Sequence, residues 1–267
     1  LMTRVGINGL GRIGRLLARR ISERVDTREA LTIAAANELA DPQTVAHLLK
    51  YDSTHGRFGL KVDVGRGAIK IDGHSIPLMN YSSSEHDFWH AQGVDLVIDC
   101  TGGELDRAAA SQHLGGSVKR VLLSQPGSSD VDATIIWGLN QNVLTPSMTV
   151  VSAGSCTSNA LMPILSIMDD ALGINAGIVT TIHSAMNDQP VIDAYHHTDL
   201  RKTRAAFNSV IPVETGLAQG VERFLPHLGE KIQARALRLP TLNVLSLDVV
   251  LACDTATSSA YVYGETK

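Results

Sequence analysis

Arg4-Val5-Gly6-Ile7-Asn8-Gly9-Leu10-Gly11-Arg12-Ile13-Gly14 runs a short apolar strand into G-x-G-x-x-G and then into a helical pattern. In that setting each glycine has its own task. Gly9 permits the tight turn, Gly11 lets the backbone approach a pyrophosphate, and Gly14 allows close helix–strand packing. The helix N-terminus adds unpaired N–H groups and a partial positive charge. Glu38 ends the second strand, where a carboxylate binds ribose hydroxyls and repels a 2′-phosphate. The pattern points to NAD rather than NADP. The plain alternative is a glycine-rich turn that holds no dinucleotide.

Outward from this turn, Ile13, Leu16, Leu17 and Ile21 recur at helical spacing, with Arg12, Arg15, Arg19 and Arg20 on the other side. Short apolar runs follow: Leu31-Thr32-Ile33-Ala34-Ala35-Ala36, Val94-Asp95-Leu96-Val97-Ile98-Asp99, Val118-Lys119-Arg120-Val121-Leu122-Leu123 and Thr149-Val150-Val151. Such strands, joined by helices, predict a parallel sheet covered on both faces. Residues 61–76 alternate and carry three glycines, so they read as antiparallel hairpin strands inserted into that sheet. Thr101-Gly102-Gly103 forms a second small-residue strand end, and such ends line the ligand crevice of a doubly wound sheet.

After Val151 the character changes. A helix is predicted from about Thr157 to Leu172, stopped by Gly173. Strand-like runs then cover residues 178–182, 233–239 and 242–251. The polar stretch 184–204 between them has few periodic apolar positions. This predicts an antiparallel sheet with a large functional loop, hence a second domain, with the boundary near Ser152.

Composition narrows the function. The 267 residues carry 23 Lys+Arg and 27 Asp+Glu, a formal net charge of −4, which argues against a nucleic-acid binder built on a basic field. Aromatics at 4% make a stacking platform for single strands improbable. Hydrophobic content of 44% suits a globular protein with a full core. No run approaches the roughly 18 apolar residues of a membrane span. No leader is expected, since Leu1-Met2-Thr3 leads straight into the first strand. Three scattered cysteines form no disulfide framework and suggest a reducing, cytoplasmic setting.

Cys156, in Ser155-Cys156-Thr157-Ser158-Asn159, sits at a strand-to-helix transition. A thiol at a helix N-terminus is stabilised as thiolate and becomes nucleophilic near neutral pH. The alternative is a small buried cysteine, but the polar flanks argue against it. Cys100 and Cys253 read as structural. His183 closes the strand Thr180-Thr181-Ile182-His183 and is placed to act as a base or to pair with a thiolate. His47, His196 and His197 read as ordinary histidines.

Taken together, these stretches resemble the glyceraldehyde-3-phosphate dehydrogenase family. The resemblance rests on Ile7-Asn8-Gly9-Leu10-Gly11-Arg12-Ile13-Gly14-Arg15, Ser155-Cys156-Thr157-Ser158-Asn159, Thr181-Ile182-His183-Ser184, and Leu239-Pro240-Thr241 followed by Asn243-Val244. It implies an α/β fold class: an N-terminal Rossmann-like NAD-binding domain (residues 1–152) and an α+β catalytic domain with an antiparallel or mixed sheet (residues 153–267). Within the family, Asn37-Glu38-Leu39-Ala40-Asp41 and His183-Ser184-Ala185-Met186-Asn187-Asp188-Gln189 are most similar to the branch acting on D-erythrose 4-phosphate. Glycolytic members usually carry aspartate at Glu38 and a phosphate-holding threonine at Met186.

The resemblance implies that Cys156 attacks an aldehyde and His183 serves as base. It places NAD on Asn8, Gly9, Gly11, Arg12, Ile13, Gly14, Glu38, Thr101, Gly102 and Ser124. It places the phosphorylated substrate on Ser155, Thr157, Asp188, Arg204, Thr215, Gly216 and Arg238. It implies a homotetramer acting on a small phospho-sugar aldehyde, with no metal, nucleic-acid or membrane partner. Two departures are minor: Ala160 replaces a second cysteine, and Ala153-Gly154 replaces Asn-Ala. A larger one is that the likeness fades after Leu251, no Asn-Glu-Trp-Gly occurs, and the tail from about residue 252 looks foreign. The C-terminal part of the family fold is therefore expected to be missing, with an inactive NAD-binding homologue as one alternative and a phosphorylating glyceraldehyde-3-phosphate dehydrogenase as another.

Overall fold

The computed structural model describes residues 2–81, 86–103, 105–196 and 198–265. Leu1, His197 and the tail residues Thr266 and Lys267 lie outside the described residues. The backbone forms two compact units: Leu1–Ile135 with Asn140–Gly154, and Ile136–Leu139 with Ser155–Lys267.

The first unit runs β1 (Thr3–Asn8), α1 (Arg12–Glu23), α2 (Val25–Ala30), β2 (Leu31–Asn37), α3 (Pro42–Lys50), β3 (Tyr51–Asp52), β4 (Gly56–Arg57), β5 (Val62–Gly65), β6 (Ala68–Ile71) and β7 (His74–Met79). It continues with α4 (His86–Ala91), β8 (Leu96–Asp99), α5 (Arg107–Ser111), β9 (Arg120–Leu123), β10 (Ala133–Thr134) and β11 (Val150–Ser152). Nine of the strands form one sheet in the order β10-β11-β9-β8-β1-β2-β7-β6-β5. Every pairing from β10 to β7 is parallel. The hairpins at residues 61–76 occupy its antiparallel edge. The chain leaves β1 toward β2 on one side and later returns to β8 on the other. The carboxyl ends of β1 and β8 therefore flank the switch point where such sheets bind ligands.

Two side chains of α1 depart from the helical pattern. Arg19, placed by spacing on the polar face, is 6% exposed. Its Nε donates to Leu49 O at 2.9 Å and its terminal nitrogens to Gly56 O, with the guanidinium 5.2 Å from the Phe58 ring centre. Leu49 lies in the last turn of α3, where carbonyls lack intrahelical donors and a cation is favoured. Ile13, placed on the apolar face, is 49% exposed because it stands in the first turn, beside the glycine bend rather than over the sheet.

The second unit comprises α6 (Cys156–Leu172), β12 (Ile174–Ser184), β13 (Ile211–Val213), α7 (Leu217–Phe224), β14 (Ile232–Leu239), β15 (Leu245–Cys253) and α8 (Ser259–Glu265). Ser155 caps α6 by accepting the Ser158 N–H, and Gly173 stops it with φ +68°. The buried residues Ser158, Leu161, Met162, Leu165, Met168 and Leu172 recur at helical spacing. They pack with Leu217, Val221 and Leu228 against one face of the sheet β13-β14-β12-β15. That sheet is mixed. β12 pairs antiparallel with β15 but parallel with β14, so of the antiparallel or mixed sheet expected, the mixed form is the one present. The long segment through α7 between β12 and β14 returns the chain to the starting end, as a parallel pairing requires. None of the described helices is long and apolar enough to cross a membrane.

Candidate active site

In the first unit, Asn8, Glu38, Thr101 and Ser124 stand at the carboxyl ends of β1, β2, β8 and β9. Gly9 adopts φ +91°, a conformation that favours glycine. A Cβ on Gly14 would lie 1.9 Å from Gly9 O, so the helix can approach the turn this closely only with glycine there. Glu38 accepts the Leu10 N–H at 2.8 Å through Oε2 and the Leu39 N–H at 2.7 Å through Oε1. Its carboxylate thus lies against the glycine turn. Thr101 donates to Asp99 from both its N–H and its hydroxyl. Ser124 donates its hydroxyl to Gln125.

In the second unit, Cys156 is the first residue of α6 and is exposed. Its Sγ lies 3.7 Å from His183 Nε2. His183 Nδ1 stands 2.8 Å from Ser184 O, a carbonyl that only accepts, so Nδ1 carries a proton and Nε2 faces the sulfur. The His183 ring holds the thiol below its ordinary value, with the N–H groups of Thr157 and Cys156 adding to the effect and partial burial opposing it. The sulfur reciprocally raises the His183 pKa, while desolvation and the nearby Arg238 charge oppose the rise. Both shifts favour the same charged pair, a thiolate beside a protonated ring. The end of β12 that presents His183 is braced by Ser184 N–H to Val244 O and Ala185 N–H to Thr241 O.

The parallel pairing of β12 and β14 sets Arg238 directly opposite His183. Arg238 is 7% exposed, and its two terminal nitrogens grip Asp188 at 2.6 and 3.2 Å. Lys202 donates to the same carboxylate at 3.0 Å. Burial pushes the Asp188 carboxyl up, but its cationic partners outweigh that and keep it below the usual range.

Two family models match this chain. The model described as glyceraldehyde 3-phosphate dehydrogenase, NAD binding domain, covers residues 3–107. The one described as glyceraldehyde 3-phosphate dehydrogenase, C-terminal domain, covers residues 155–266. The chain belongs to the glyceraldehyde-3-phosphate dehydrogenase family. It carries the domains of an NAD-dependent dehydrogenase that takes a phosphorylated aldehyde.

The glycine turn of this dehydrogenase fits its cofactor. A Cβ on Gly11 would meet nothing within 4 Å, so protein packing does not demand glycine there, and the open space suits an approaching pyrophosphate; Gly102 is equally open, but its φ of +81° already favours glycine. No side chain caps the N-terminus of α1, and no acidic residue occupies its first turn. The C-terminal match also corrects the reading of the tail as foreign from about residue 252. β15 continues to Cys253, the Asp254 and Thr255 N–H groups donate to Gly173 O and Leu172 O, and Val262 packs on the core of the second unit.

Other residues assigned by resemblance are occupied locally. Arg204 pairs with Asp193 at 2.6 Å. Thr215 Oγ1 accepts the Leu217 N–H at the start of α7, where Gly216 is the N-cap residue. Ser155 and Thr157 share a hydroxyl contact of 3.0 Å at the start of α6. Cys100 is buried just past β8, with its thiol pushed up to about 11, as befits a structural residue. Sequence reasoning missed Lys202, and it missed Asp99 and His113 below the glycine turn. A carboxylate ending an otherwise apolar strand was the available signal for Asp99.

Proposed function

We propose that this dehydrogenase oxidises D-erythrose 4-phosphate to 4-phosphoerythronate through a thioester on Cys156. The observation that carries the reading is the Cys156–His183 pair, 3.7 Å apart at the N-terminus of a 17-residue helix. The Cys156 thiolate attacks the aldehyde carbon, forming a thiohemiacetal. The Cys156 N–H, at an unpaired helix start, and the His183 ring are placed to stabilise the developing oxyanion. The protonated His183 ring gives the oxyanion its proton and takes it back as the hydride leaves. Bound NAD supplies the hydride acceptor. Water releases the acid from the thioester.

Arg238 holds the substrate phosphate, with Ser155, Thr157, Asp188, Arg204, Thr215 and Gly216 around the anion sites. Bidentate geometry suits arginine to that task. Met186, exposed beside this region, offers no hydroxyl to a phosphate, which supports the longer sugar. The deciding assay follows NADH formation from each aldehyde with and without inorganic phosphate. Faster turnover of erythrose 4-phosphate, independent of phosphate, is expected. Strict phosphate dependence with preference for glyceraldehyde 3-phosphate would assign the glycolytic reaction instead.

Asn8, Gly9, Gly11, Arg12, Ile13, Gly14, Glu38, Thr101, Gly102 and Ser124 form the cofactor cradle in this proposal, within an NAD-binding domain of residues 1–152, and residues 153–267 form the catalytic domain. Glu38→Ala removes the charge that repels a 2′-phosphate, so the NAD-over-NADP affinity ratio should fall by about tenfold or more. Titration of both cofactors checks this; an unchanged ratio removes Glu38 from the ribose role. The proposal extends to a cytoplasmic homotetramer. Three free cysteines support the compartment. Exposed Ile178 and Val250 on the outer sheet face, and Ile192 and Tyr195 in the 184–204 loop, support the assembly.

A further inference from the structure

Beneath the glycine turn a chain of buried side chains crosses the carboxyl edge of the large sheet in the same order as its strands. Gln125, after β9, donates to Asp99 Oδ1 at 2.9 Å. Asn8, ending β1, donates to Asp99 Oδ2 at 2.6 Å. Asn37, ending β2, donates to Asn8 Oδ1 at 2.8 Å and to Tyr81 O, and takes the Tyr81 N–H in return. The direction of every bond follows from the ends. The Tyr81 backbone orients the Asn37 amide, Asn37 orients Asn8, and only the Asn8 Nδ2 is left to face Asp99.

His113 closes the network from below. The indole N–H of Trp89 only donates, so His113 Nδ1, 3.1 Å away, accepts, and the ring proton sits on Nε2, 3.4 Å from Asp99 Oδ2. Trp89 is fully buried against Gly6 of β1, where a Cβ would lie 2.8 Å from its ring. Asp99, Asn8, Asn37, His113 and Gln125 are all less than 9% exposed. Burial pushes the Asp99 carboxyl up, and donors on His113, Thr101, Asn8 and Gln125 more than offset it, keeping the group ionised. An unpaired buried carboxylate is strongly unfavourable, so this one is kept in place only by the donors aimed at it.

Those donors come from both loops of the cradle. Asn8 leads into Gly9, and Thr101, which binds Asp99 Oδ1 through N–H and hydroxyl at 3.1 and 2.6 Å, leads into Gly102 at φ +81°. We propose that Asp99 is a positioning residue for NAD, its carboxylate locking the Asn8–Gly9 turn and the Thr101–Gly102 loop into one preset surface, with His113 holding the carboxylate in register. The inference rests on those two loops being the cofactor cradle. Preset loops lose less freedom when the ligand arrives, which appears as affinity.

The test is calorimetric titration of NAD into the full chain and its Asp99→Asn variant. The replacement keeps the shape but sets an NH₂ against the Asn8 and His113 donors. The NAD dissociation constant should rise about 10- to 100-fold per folded molecule, while alkylation of Cys156 by iodoacetamide without cofactor keeps its wild-type rate. A merely structural role would lower the melting temperature and leave the dissociation constant of the folded fraction within twofold of wild type, which overturns the proposal. If Asp99→Asn does not fold, His113→Phe, which drops the Nε2–H but keeps a ring, should weaken NAD several-fold, and unchanged affinity overturns the proposal equally. A wild-type chain that binds no NAD removes the cradle reading itself.

Discussion

Cys156→Ala should abolish NADH formation from any phospho-aldehyde, by about 10⁴-fold or more, because no other group in the pair can form the covalent intermediate. His183 carries a nitrogen base but no acyl-accepting sulfur, and the other two cysteines stand elsewhere, Cys100 just past β8 and Cys253 at the end of β15. One of them, Cys100, is buried with its thiol pushed up to about 11, so it supplies no thiolate near neutral pH. The variant should fold normally. Cys156 is exposed at the start of α6, and surface replacements of this kind usually change stability by about 0.5 kcal/mol or less. NAD affinity should survive, since the glycine turn and Glu38 belong to the first compact unit. The measurements are NADH absorbance under substrate saturation and a cofactor titration on the same sample. A residual rate within tenfold of wild type would end the thioester mechanism.

His183→Ala should lower turnover by about 10²- to 10⁴-fold, the usual contribution of a positioned acid–base group. It should also move the pH dependence of Cys156 alkylation upward. The sign follows from the pair. The ring lowers the thiol pKa, the thiolate is the reactive form, and it therefore persists to lower pH while His183 is present. Without the ring, a higher pH is needed for the same thiolate fraction. The profile should not return fully to that of free cysteine. Cys156 still begins α6, and a helix terminus contributes about 0.3–1 kcal/mol, less than about one pH unit. Iodoacetamide kinetics across pH read this directly. An unmoved profile would show that the ring, though 3.7 Å from the sulfur, does not set its ionisation.

Much of this molecule was legible from local pattern. The Gly9–Gly14 spacing, the polar flank of Cys156, the stop at Gly173 and the alternation in residues 61–76 each depend on neighbours a few residues away, where backbone sterics and side-chain period dominate. The glycine turn is the clearest case. Gly14 is required by a carbonyl of the same turn, so its identity already encodes the close approach.

Contacts between distant segments had to wait for the fold. Helical spacing sorts α1 into faces, but it does not say that the α3 carbonyl at Leu49 and the Gly56 carbonyl will converge on Arg19 and bury it. Strand propensity marks residues 233–239, yet only the crossover through α7 makes β14 parallel to β12 and so brings Arg238 beside His183. The Asp99 network needs five segments at once, each polar group acceptable only because the others arrive with it. Local chemistry thus specified the glycine turn, the placing of Cys156 at the start of a helix and most of the elements. Which polar side chains are buried, and which charges meet, was settled by tertiary structure, because a hydrogen bond or ion pair has two ends and the chain order records only one at a time.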